Sequence, residues 1–80
     1  MMFKIIFLTR NGEVVETIKY DNKTMDLREL YRKIDEIVKK YPAIDRYEVW
    51  ERSFVMKVIR ENGKVRYEEE KLKREADRNE

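Results

Sequence analysis

Carboxylates, lysines and tyrosines are the main proton-transfer groups this chain offers. Its 80 residues include no His and no Cys, and its only serine is Ser53. A Ser-His-Asp triad, a Cys–His nucleophile, a Cys/His zinc site and any disulfide framework are therefore excluded. What remains is a carboxylate pair of the kind glycosidases and nucleases use. Glu16 is the acid to follow, because the strand register derived below sets it on the core face opposite Phe7. Buried acids are more often paired with a base than poised for chemistry. Asp21, Asn22 and Asp26 lack the Gly and Glu positions of a calcium loop, and Glu68-Glu69-Glu70 reads as a charged run. We expect a non-enzyme with no catalytic residue, no metal site and no cofactor.

The elements that would position any site follow from composition and spacing. Nineteen Lys and Arg against seventeen Asp and Glu give a net charge of +2, with 45 % of residues charged and 41 % apolar. That apolar share supports one thin core rather than a disordered chain, and a chain this short has little room for a deep pocket. The charge balance is too small to demand a polyanionic partner. The longest early apolar run, Ile5-Ile6-Phe7-Leu8, is far shorter than a membrane span or a signal-peptide core needs. We expect no membrane contact and a cytoplasmic location.

Residues 2–9 and 13–20 are rich in Ile, Val, Phe, Tyr and Thr and flank Asn11-Gly12. Asn-Gly between two such runs predicts a hairpin closed by a type I′ turn. With a two-residue loop, Leu8 faces Val15, Phe7 faces Glu16, Ile5 faces Ile18 and Phe3 faces Tyr20. Phe3, Ile5, Phe7, Val14, Ile18 and Tyr20 then form the core face, and Ile6, Leu8 and Val15 lie on the other among Lys4, Thr17 and Lys19.

Asp26-Leu27-Arg28-Glu29 has capping-box spacing, and Leu27, Leu30, Tyr31, Ile34, Ile37, Val38 and Tyr41 recur with helical period. A helix over about 26–41 is predicted, stopped by Pro42. Strand patterns resume in Tyr47–Trp50 and Phe54–Arg60, with Glu51–Ser53 read as a hairpin loop in preference to a bulge. Asn62-Gly63 closes a further hairpin in which Val58 faces Tyr67, Met56 faces Glu69, Lys57 faces Glu68 and Glu61 faces Lys64. Both glycines of the chain are thereby used in turns, leaving none for a phosphate-cradling loop. Residues 68–80 carry six acids, four bases and only Leu72 and Ala76 as apolar groups. We read them as a charged C-terminal helix or tail beyond a single domain of residues 1–67.

The fold class is thus α+β: an antiparallel sheet of four or five strands, order β-β-α-β-β-β, with one amphipathic helix on one face. Such an architecture is similar to many small proteins of phages and other mobile elements, and no particular residues carry that likeness. One helix covers one sheet face, so Ile6, Leu8, Val15 and Trp50 lack an evident cover. They are the candidate surface for binding another protein or a second copy of the chain. The alternative is single-stranded nucleic acid. Six bases against three acids lie between Arg46 and Arg66, interleaved with aromatics, and Arg46, Trp50, Arg52, Lys57, Arg60 and Arg66 would carry that function.

Overall fold

The computed structural model describes residues 2–51 and 54–71. Five strands and one helix follow in the expected order: β1 (Met2–Thr9), β2 (Val14–Asp21), α1 (Leu27–Lys40), β3 (Ile44–Trp50), β4 (Phe54–Glu61) and β5 (Lys64–Lys71). The strands form one sheet in the order β2-β1-β3-β4-β5, with every neighbouring pair antiparallel. β2 and β3 both oppose β1, so they run parallel to each other on either side of it. The link between them must cross over β1, and α1 is that crossover.

The two Asn-Gly turns differ. Asn62 and Gly63 both have positive φ, 52° and 76°, and close the two-residue type I′ turn between β4 and β5. In the first hairpin only Gly12 is left-handed, at φ 86°. The Gly12 amide donates to Thr9 O at 3.0 Å and the Thr9 amide to Glu13 O at 2.9 Å, the pattern of a three-residue loop with a glycine bulge. That longer loop shifts the register by one, and Leu8 faces Val14 instead of Val15. Val15 is then an extra residue, so Phe7 meets Glu16, and Ile5–Ile18 and Phe3–Tyr20 follow as expected.

This pair of irregularities exchanges two valines. Val14, expected in the core, is 62 % exposed, whereas Val15, expected on the open face, packs against the core cluster. A one-residue slip reverses which face a side chain takes, and here the reversal is confined to the stretch between turn and bulge.

The core lies between α1 and one face of the sheet. Phe3, Ile5, Phe7, Tyr47, Val49 and Val58 meet Leu30, Ile34 and Val38 of the helix, and Phe7 is fully buried. Each of those helix side chains contributes about 1.5–3 kcal/mol of burial. Asp26 caps the helix, its Oδ1 accepting from the Arg28 amide at 3.1 Å. Leu27 and Tyr31, on the apolar stripe of the sequence, remain about half exposed at the helix's first turns.

Strand alternation along Phe54, Met56 and Val58 carries Arg60 to the helix-covered face, where its guanidinium donates to Ile44 O, to Val38 O at 3.0 Å and to Tyr41 O at 3.4 Å. These carbonyls belong to the end of the helix and the start of β3, regions that Pro42 prevents from continuing as helix. One cation therefore ties α1, the Pro42 turn, β3 and β4 together. Arg60 is thus a fastening of the fold and is not free to serve as a nucleic-acid contact.

The β3–β4 connection is a hairpin, with Val49 opposite Phe54; Arg52 and Ser53 within it lie outside the described residues. Along β4 and β5 the observed register is the expected one, including Lys57–Glu68 and Glu61–Lys64. β5 runs on through Glu68 to Lys71, so the sheet extends past the boundary at residue 67. The helix-or-tail expectation for the rest, 72–80, lies outside the described residues.

Replacing Arg60 by Ala removes charged hydrogen bonds from carbonyls at the helix end. Urea unfolding should show a loss of about 1.5–3 kcal/mol, with Arg66→Ala, whose cation is exposed, giving little change. Equal, small losses in both variants would show that Arg60 does not hold the helix.

Candidate interaction surfaces

The face of the sheet opposite α1 is built by alternation from Met2, Lys4, Ile6 and Leu8 of β1, Val14, Thr17, Lys19 and Asp21 of β2, Arg46, Glu48 and Trp50 of β3, Val55, Lys57, Ile59 and Glu61 of β4, and Lys64, Arg66, Glu68 and Glu70 of β5. Its two halves are built differently. Over β3, β4 and β5, long charged side chains pair with one another: Arg46 with Glu48 at 3.9 Å, Lys57 with Glu70 at 4.0 Å, and Arg66 with Glu68 at 2.7 Å and Glu61 at 3.3 Å. Those hydrogen bonds, first to Glu68 and then to Glu61, hold the Arg66 guanidinium more firmly protonated than usual. Exposed pairs of this kind add little stability. Their aliphatic stems nevertheless cover apolar surface.

Leu8 is buried on this same face. Its cross-strand neighbour Arg46 reaches Thr9 O at 3.4 Å, and Leu8 is only 6 % exposed. Of the four residues expected to form a contact surface, Leu8 is therefore buried and Val15 lies on the opposite face. Ile6, half-buried, and Trp50, 52 % exposed, stay together on the open face.

Ile6 and Trp50 line a shallow depression of about 350 Å³ with Met2, Lys4, Lys19 and Glu51. Register explains the grouping: Lys4 faces Lys19 on one side and Trp50 on the other, so Lys19, Lys4 and Trp50 form one row across three strands. Lys4 and Lys19 form no ion pair among the described residues. Directly opposed like charges destabilise a sheet. This pair of lysines was missed in the sequence, although pairing Ile5 with Ile18 already implies it. Glu51 closes the depression with a left-handed backbone, φ 89°, that a residue with a side chain adopts only at some cost.

The bases expected to hold nucleic acid are otherwise engaged. Arg46, Lys57 and Arg66 sit in ion pairs and Arg60 fastens the helix, whereas Arg52 lies outside the described residues. Of that set Trp50 is described and lies outside these pairs, and Lys57 and Arg66 keep side chains about half exposed within theirs.

Glu16 stands half-buried across from Phe7. No cluster of three or more potential metal ligands occurs among the described residues, and no described helix is long and apolar enough to cross a membrane. A second concavity of about 180 Å³ opens between the first half of α1 and the sheet, bordered by Leu27, Tyr31, Phe54, Met56 and Glu69. It is small for an organic ligand.

Two tyrosines lie along the helix-covered side of β3 and β5. Burial, reinforced by nearby Tyr31 and Asp35, pushes the Tyr47 phenol up to about 12. Burial and then a hydrogen bond donated to Asp35 Oδ1 raise the Tyr67 phenol further. Their rings meet edge to face at 5.8 Å.

Comparison with protein-family models, with curated proteins and with solved structures finds no match to the chain. Function must be argued from the surface itself.

The folded chain holds the Tyr47 proton more tightly than the unfolded chain, so stability falls as pH rises above 10 toward 12. Tyr47→Phe should lessen the loss of stability over that window, by on the order of 1 kcal/mol, and with it the decline in melting temperature. Thermal melts at pH 9 and pH 11.5 check this; an unchanged slope in the variant would contradict it.

Proposed function

We propose that this chain is a small non-catalytic interaction module, acting in the cytoplasm, that binds another protein through the Trp50 corner of its open sheet face. The observation that carries the reading is a half-exposed Trp50 beside Met2 and Ile6, on a face that α1 does not cover. A tryptophan left half in water and lining a depression is a residue type enriched among the anchors of protein contacts. The ion-paired half of the same face supplies the polar rim that such contacts usually have.

The nucleic-acid alternative keeps Trp50 as a stacking platform but has lost most of its bases to pairs within the chain. Binding to a second copy is a special case of the favoured reading, since a two-fold contact would bury Trp50 of both chains.

Trp50→Ser should fold normally, because the ring is half in water, and should lose the interaction. Sedimentation over a range of concentrations, together with affinity capture using both chains as bait, reads this out. A dimer or a stoichiometric captured protein in the wild type, absent in the variant at equal helicity by circular dichroism, is the expected result. Identical behaviour of the two baits would rule out the Trp50 corner as the contact surface.

A further inference from the structure

We infer that the row Lys19–Lys4–Trp50 receives an acidic segment of the partner protein, a carboxylate seated on the two lysines and a bulky apolar side chain on the indole. The inference rests on the reading of the Trp50 corner as a protein contact, and it adds the chemistry of the partner. Two features select that chemistry. Lys4 and Lys19 are directly opposed across β1 and β2, and neither forms an ion pair among the described residues, whereas Arg46, Lys57 and Arg66 on the same face each lie beside a glutamate. An anion between the lysines converts their repulsion into two attractions, so the folded chain is pre-arranged for it.

Spacing narrows the ligand further. Neighbouring strands lie about 4.8 Å apart, which places the midpoint of the lysine pair roughly 7 Å from Trp50 along the row. Extended residues advance about 3.4 Å each. An acid and an apolar side chain two residues apart in an extended segment therefore fit the row, with Met2 and Ile6 beside the apolar side chain.

A polyanion fits less well. Away from this corner its phosphates would run over Glu48, Glu68 and Glu70, the acids that already pair with Arg46, Arg66 and Lys57 on that face. Among the described residues no continuous basic track leads on from the two lysines, as single-strand binding requires.

Trp50 is the only tryptophan, so its fluorescence reports on this site alone. The probes are a blocked peptide, acetyl-Glu-Glu-Ser-Phe-Leu-amide, its counterpart with Lys in place of Glu, and a short oligothymidylate, each titrated at low and high salt. The acidic peptide should change the emission saturably and more weakly at high salt, and the lysine peptide should not. Lys4→Glu combined with Lys19→Glu should weaken the acidic peptide about tenfold or more. Lys19→Glu alone, which sets opposite charges face to face, should raise the melting temperature by roughly 2–4 °C.

No response to the acidic peptide would overturn the inference, as would tighter binding of the oligothymidylate, which would assign the site to nucleic acid. A melting temperature unchanged or lowered by Lys19→Glu would remove its premise of uncompensated repulsion. If the peptide fails while Trp50→Ser still abolishes partner capture, the contact surface stands and only the acidic-segment inference falls.

Discussion

One fourteen-residue helix has to cover a five-stranded sheet, and the rest of the molecule follows from that mismatch. The helix is roughly 21 Å long and 10–12 Å across, against a sheet about 19 Å wide between its outer strands. It can seal a single stripe on one face. Leu30, Ile34 and Val38 do so over Phe7, Ile5 and Tyr47, and Arg60 secures the end of the stripe by bridging carbonyls of the helix, the turn after it and β3. The other face has no secondary structure laid over it among the described residues.

That second face meets water by two devices. Over β3 to β5 the chain sets long charged side chains in ion pairs along and across the strands, and Leu8 and Val55 on that face are buried. Over β2, β1 and the end of β3 it leaves Trp50, Met2 and Val14 exposed and sets Lys4 against Lys19. The contrast matters because the paired half shows that the fold can neutralise charge on this face. An exposed ring and two opposed lysines without an ion pair among the described residues, in one row, are therefore most simply read together, as the place where something from outside completes the surface.

Much of this could be read in the sequence, and the failures are local. The helix, the β4–β5 register and the distant part of the β1–β2 register rest on long periodic patterns that few alternatives satisfy. The error at Val14 and Val15 arose because Asn-Gly is compatible with two turn geometries. Asn62 adopts positive φ and Asn11 does not, and the dipeptide alone does not distinguish the two. Arg60 was misread because composition counts its charge without its direction; its place in the alternation with Phe54, Met56 and Val58 points it at the helix end, where carbonyls need donors. Leu8 differs from expectation because alternation gives a residue's face but not how deeply that position is buried. Lys4 and Lys19 were legible from the register and gained meaning only once the other bases were seen to be paired.

The central claim is that exposed indole and unbalanced positive charge occupy the same corner of the free chain. Quenching of Trp50 by iodide and by caesium, each normalised to free N-acetyltryptophanamide, tests it most directly. Accumulation of anions beside Lys4 and Lys19 predicts ready access with iodide favoured over caesium, and a reversed preference when both lysines are changed to glutamate. A shielded indole, or equal normalised quenching by the two ions in the wild type, would contradict the account.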